Sequence, residues 1–111
     1  MYIDAFVIPV PTANKAAYIE GGKMWAQMAK GYGALRVTDF WGDDVPDGQV
    51  TSFPMSVKLE PGETVVLSWI EWPDKATRDA ANEKMRSDPN MQNMQMPFDG
   101  KRMIFGGFAP L

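Results

Sequence analysis

Residues Thr64 to Trp72, TVVLSWIEW, are apolar on both alternating phases, with Val65, Leu67 and Trp69 on one and Val66, Ile70 and Trp72 on the other. Side chains of a strand point alternately to the two faces of its sheet, so a strand of this kind has to be covered on both. Residues Tyr2 to Ile8, YIDAFVI, repeat the pattern, with Tyr2, Phe6 and Ile8 set against Ile3, Ala5 and Val7, and Pro9 and Pro11 close the run. The chain has 111 residues, which makes residues 1–111 a single domain with one core. Few elements are left to do the covering.

Thr12 and Asn14 offer capping oxygens, and after them Tyr18, Gly22, Trp25, Ala29 and Tyr32 recur at steps of three and four on one face, which makes 13–30 a helix. Gly31 and Gly33 end it. Gly21 and Gly22 fall inside this helix, where each costs up to about 1 kcal/mol relative to alanine, so close packing on the sheet or a local bend is expected there. A second strand spans 34–41, with Leu35, Val37 and Asp39 alternating with Arg36, Thr38 and Phe40. Glu60-Pro61-Gly62-Glu63 has the Pro and Gly of a type II turn and leads into the third strand. The intervening segment Thr51 to Leu59 fits an edge strand through Phe53, Met55, Val57 and Leu59, or a short helix capped by Ser52. Asp74 caps a second helix with apolar Ala76, Ala80, Ala81 and Met85, ending at Asp88-Pro89. A methionine- and glutamine-rich stretch, Asn90 to Pro97, then precedes a fourth strand over 101–108.

The order β-α-β-β-α-β predicts an α+β, ferredoxin-like sandwich in which both helices lie on one face of a four-stranded antiparallel sheet. Two helices cover one face only. Because the strands are apolar on both, the other face is expected to meet a second copy of the chain, giving a homodimer joined sheet against sheet.

The segments MYIDAFVIPVPTANKAAY, YGALRVTDFWGDDVPDGQVTSFP, ETVVLSWIEWPDKATRDAAN and MPFDGKRMIFGGF together resemble the YbaA-like family of small bacterial proteins of uncharacterised function, over essentially the whole chain. The resemblance implies the dimeric α+β barrel, in which two ferredoxin-like protomers join their sheets. It implies no catalytic residue. The chain departs from the family pattern at Gly21-Gly22 and in the methionines of 91–96.

Composition removes several classes of chemistry. There is no cysteine and no histidine, so disulfides, thiolate nucleophiles, histidine-dependent triads and Cys- or His-ligated metals are excluded. Net charge is −3, and the 11 basic residues are dispersed, which argues against nucleic acid and anionic membrane as partners. A cytoplasmic protein is expected. Gly106-Gly107 lacks the third glycine and following helix of a dinucleotide fingerprint. Asp43, Asp44 and Asp47 read as turn residues, and Met91, Met94 and Met96, whose thioethers suit Cu(I), read as a habit of a chain with nine methionines. No metal or cofactor is expected.

Asp4, Arg36, Thr38, Ser68, Glu71 and Arg102 interrupt otherwise apolar strands. Buried charges must pair, so Asp4 or Glu71 is expected to meet Arg36 or Arg102. The same residues also fit a polar spot that orients a small hydrophobic or aromatic metabolite against Phe6, Phe40, Trp41 and Trp69 in or beside the barrel, with Asp4 and Glu71 as the candidate bases. Two alternatives stand beside this binding reading. One is a cofactor-independent monooxygenase or isomerase; the other is a structural or interaction protein whose barrel is filled.

Overall fold

A computed structural model describes residues 1–111. The elements run β1 (Tyr2–Pro11), a 3-10 turn (Thr12–Asn14), α1 (Lys15–Gly31), β2 (Arg36–Trp41), α2 (Phe53–Ser56), β3 (Glu63–Trp72), α3 (Lys75–Arg86), α4 (Pro89–Gln92) and β4 (Ile104–Phe108). The strands form one antiparallel sheet in the order β2-β3-β1-β4. The fold is therefore α+β with an open four-stranded sheet.

Local chemistry explains most boundaries. Asp74 accepts from the Thr77 amide at 2.7 Å and starts α3. Ser52 does the same for the Met55 amide at 3.1 Å, and with Pro54 in the first turn it makes 53–56 a short helix and not an edge strand. The expected caps of α1 act elsewhere: the Thr12 hydroxyl donates to the Gly62 carbonyl at 3.1 Å and the Asn14 amide to the Pro97 carbonyl at 3.0 Å, leaving a 3-10 turn to lead into the helix. β4 begins at Ile104 and not at 101 because Asp99 turns the chain, accepting from the Lys101 amide at 3.0 Å and from Arg102 Nε at 3.0 Å.

Register assigns the faces. Asp4 pairs with Ile70, Phe6 with Ser68 and Ile8 with Val66, and on the other side of β3 Asp39 pairs with Ser68 and Trp41 with Val66. These residues look toward the helices. The core there is divided. One cluster joins Ala29, Ile70, Trp72, Ala81 and Met85, and a second joins Ile8, Val10 and Val66, with Phe6 packed against both. The opposite face carries Val7, Leu67, Trp69, Phe40, Ile104 and Phe108. At one end of it Val65 is buried and Phe53 of α2 lies beside it, but Phe40, Leu67, Ile104 and Phe108 are exposed. The molecule is a slab of 38 × 35 × 20 Å, with a radius of gyration of 14.4 Å. About 13 Å is expected for a compact domain of this length. The slab is a sheet with its long helices on one side, and only the short α2 at one end of the other.

Candidate functional site

Between the two core clusters the helical side of the sheet is not filled. A cavity of about 220 Å³ lies there, floored by Phe6, Ile8 and Ser68 of the sheet and roofed by α1. Its cause is local to α1. Tyr18 and Trp25 reach the sheet on either side, but the two positions between them that also face it are Gly21 and Gly22. A Cβ built at Gly21 meets nothing within 4 Å, and one at Gly22 meets only Asp39 Oδ2 at 3.6 Å. The glycines are thus neither clamped onto the sheet nor forced by backbone sterics, and what they supply is space. Met91 of α4 and the segment after it, with Met96, Phe98 and Met103, close the third side. The Asn14 to Pro97 hydrogen bond and the Phe98 ring, 5.9 Å from the Tyr18 ring, hold that segment in place.

Three polar groups face this apolar space. The Tyr18 hydroxyl donates to Asp39 Oδ1 at 2.9 Å. Burial, reinforced by the Asp39 carboxylate, holds the Tyr18 phenol far above the usual tyrosine value, so it stays a neutral donor. Ser68, directly across the β2-β3 ladder from Asp39, is buried and lines the same space. A mostly apolar cavity with a few convergent polar groups is the ordinary form of a small-molecule site.

The residues picked out in the sequence divide among several places. Phe6 and Ser68 line the cavity. Trp41 lies beyond it on the same face, under the Lys15 ammonium at 5.2 Å. Phe40 and Trp69 pack on each other, ring centroids 5.2 Å apart, on the opposite face of the sheet.

Both candidate bases are held by guanidinium groups. Asp4 is buried and bonded to Arg78 Nη2 at 2.7 Å and to Trp72 Nε1 at 3.0 Å. Its partner is Arg78, and neither Arg36 nor Arg102. Glu71 meets Arg36 Nε at 3.0 Å on the open face, and that contact holds its carboxyl below the usual carboxylate range. Arg102 forms a fork on Glu63 at 2.7 and 2.8 Å. None of these charged residues lines the cavity.

Met91 and Met96 face the cavity, whereas Met94 lines a separate surface groove with Met24 and Met28. No helix is long and apolar enough to cross a membrane. Sequence reasoning missed Tyr18, Trp25, Asp39 and Phe98 as site residues. Asp39 did leave a signal, since it is the one charge on the strand phase of Leu35 and Val37.

The family described as "Protein of unknown function (DUF1428)" matches residues 1–100. A protein of Escherichia coli (strain K12) described as "Uncharacterized protein YbaA" is 56% identical over 112 residues, covering 99% of this chain and 96% of that protein. A protein of Shigella flexneri under the same description matches with the same identity and coverage.

Proposed function

The chain belongs to the DUF1428 family of small bacterial proteins, and on that premise we propose that it binds a small hydrophobic or aromatic metabolite in the cavity between its sheet and α1, as a homodimer joined through the open sheet faces. The observation that carries the ligand reading is the pair of glycines over an apolar space. Ordinary helix chemistry would place larger side chains at Gly21 and Gly22, which would both raise helix propensity and fill the gap. At about 220 Å³ the space is smaller than pockets for drug-sized molecules, which begin at about 300 Å³, and suits a single-ring compound. The engagement of Asp4 by Arg78 and of Glu71 by Arg36 favours binding over base catalysis by either carboxylate.

The dimer rests on the uncovered face. The strand order β2-β3-β1-β4 is that of a ferredoxin-like sandwich, and two such protomers can cover their open faces by meeting sheet against sheet. That face leaves Phe40, Leu67, Ile104 and Phe108 exposed side by side, the apolar surface that an interface would remove from water. Its centre is apolar, while the Arg36–Glu71 pair sits at the corner where a polar rim belongs.

The ligand reading is tested by titrating phenethyl alcohol and toluene into the protein and following the Trp25 indole signal by NMR. Saturable shifts at Trp25 that vanish in Gly21→Leu support it. Unchanged binding in Gly21→Leu places the site elsewhere, and no binding by these compounds or by phenethylamine rejects it.

A further inference from the structure

Asp39 is the single charged residue among those lining the cavity. It makes no ion pair: Lys23 is bridged to Glu20 at 3.5 Å, and Lys15 lies over the Trp41 ring on the far side of the Tyr18–Asp39 wall, where both lysines line the neighbouring groove. Tyr18 occupies Oδ1 only. Oδ2 lies beside Gly22 and takes no hydrogen bond within the chain, and Asp39 is an exposed residue, so this oxygen is open to an incoming donor. Because the phenol stays protonated, the Tyr18–Asp39 pair presents a net negative charge. Around it stand the rings of Phe6, Tyr18, Trp25 and Phe98, whose faces attract cations, and polarizable methionine thioethers.

From the unpaired carboxylate at the edge of an aromatic cavity, we infer that the ligand is an organic cation: a protonated amine on a compact aromatic or branched aliphatic body. The ammonium would donate to Asp39 Oδ2 and share the Ser68 hydroxyl, and the body would fill the apolar space beneath Gly21 and Gly22. An acid of the same shape would bring its carboxylate against Asp39 and is rejected by like-charge repulsion. This inference deepens the ligand reading above and rests on it.

The test uses three compounds of matched shape: phenethylamine, phenethyl alcohol and 3-phenylpropionate, titrated into the intact protein at neutral pH. The amine is expected to bind about tenfold tighter than the alcohol, the increment of one charge-assisted hydrogen bond, and the acid more weakly than the alcohol. In Asp39→Asn the ratio of amine to alcohol affinity should fall to about one. Independently of any variant, amine affinity in the native protein should weaken as salt is raised while alcohol affinity holds. Binding of the alcohol with no preference for the amine, or with the acid tightest, overturns the cation assignment and leaves the cavity reading standing. Failure of all three to bind overturns both.

Discussion

Arg78 of α3 grips both carboxylate oxygens of Asp4 in β1, with Nη2 and Nε 2.7 to 3.1 Å away, although the two residues are 74 positions apart in the chain. Trp72 Nε1 of β3 donates to the same carboxylate at 3.0 Å, and the guanidinium lies over the Tyr2 ring at 5.2 Å. One buried anion therefore fastens α3 to the two central strands. The side chains are only 9% and 20% exposed, so removing one partner leaves the other uncompensated. Asp4→Asn is expected to cost about 3–5 kcal/mol in urea unfolding, and the double variant Asp4→Asn/Arg78→Met should recover a large part of it. A loss under 1 kcal/mol for the single variant would show the pair to be solvated.

The same contact leaves no room at β4. A Cβ at Gly107 would fall on the Tyr2 hydroxyl and within 2.7 Å of Arg78 Nη2. Gly107→Ala should therefore destabilise the protein by about 1–3 kcal/mol, as overpacking does. Gly31→Ala is the control: a Cβ there meets nothing within 4 Å, and it should not lower the melting temperature.

Acid should unfold the protein through a particular set of carboxylates. Hydrogen bonds from Arg102 hold Glu63 and Asp99 below the usual carboxylate range, and those from Arg36 to Glu71 and from Lys75 to Asp79 do the same. A folded-state pKa below the unfolded one contributes stability that is complete above the unfolded value and is lost as pH falls through the folded one. With no histidine, no side chain with an ordinary pKa titrates between pH 5 and 8. Urea midpoints should then be flat from about pH 7 to 5 and fall below about pH 4. In Arg102→Gln the fall should be shallower, because Glu63 and Asp99 return toward ordinary values. An equally steep fall would assign the acid sensitivity to other groups.

What could be read in the sequence follows from how local each cause is. The two-phase apolar pattern of β3 and β1, the Asp74 cap and the Pro61-Gly62 turn depend on neighbours within a few positions, and they give β3 and α3 almost at their observed limits, whereas β1 runs on through Pro9 to Pro11 and β4 starts three residues late. The cavity depends on contacts that no short window contains. Asn14 meets Pro97 across 83 positions, and Asp39 meets Tyr18 across 21. Phe40 and Trp69 look like companions of Phe6 and Ser68 until register puts them on the other face. The alternation of side chains reverses with each residue, so grouping aromatics by type cannot group them by face. Arg78 was hidden by its setting in a helix that also carries Lys75, Asp79, Glu83, Lys84 and Arg86, where one charge looks as solvated as the next.

Leu67 tests the proposed dimer at its centre. It lies on β3, one of the two inner strands, pairs laterally with Val7 and Phe40, and is 36% exposed in the single chain. In a dimer joined through this face, a carboxylate at that position is taken out of water with no cation provided for it: Arg36 is already engaged by Glu71 and Arg102 by Glu63. In the isolated protomer the same carboxylate stays partly solvated. Leu67→Glu should therefore convert a dimer to a folded monomer in sedimentation equilibrium, with unchanged far-ultraviolet circular dichroism, while Lys84→Glu on the exposed side of α3 leaves the dimer intact. A native protein that sediments as a monomer at micromolar concentration, or a Leu67→Glu variant that dimerises as tightly as the native chain, removes the open sheet face as the interface.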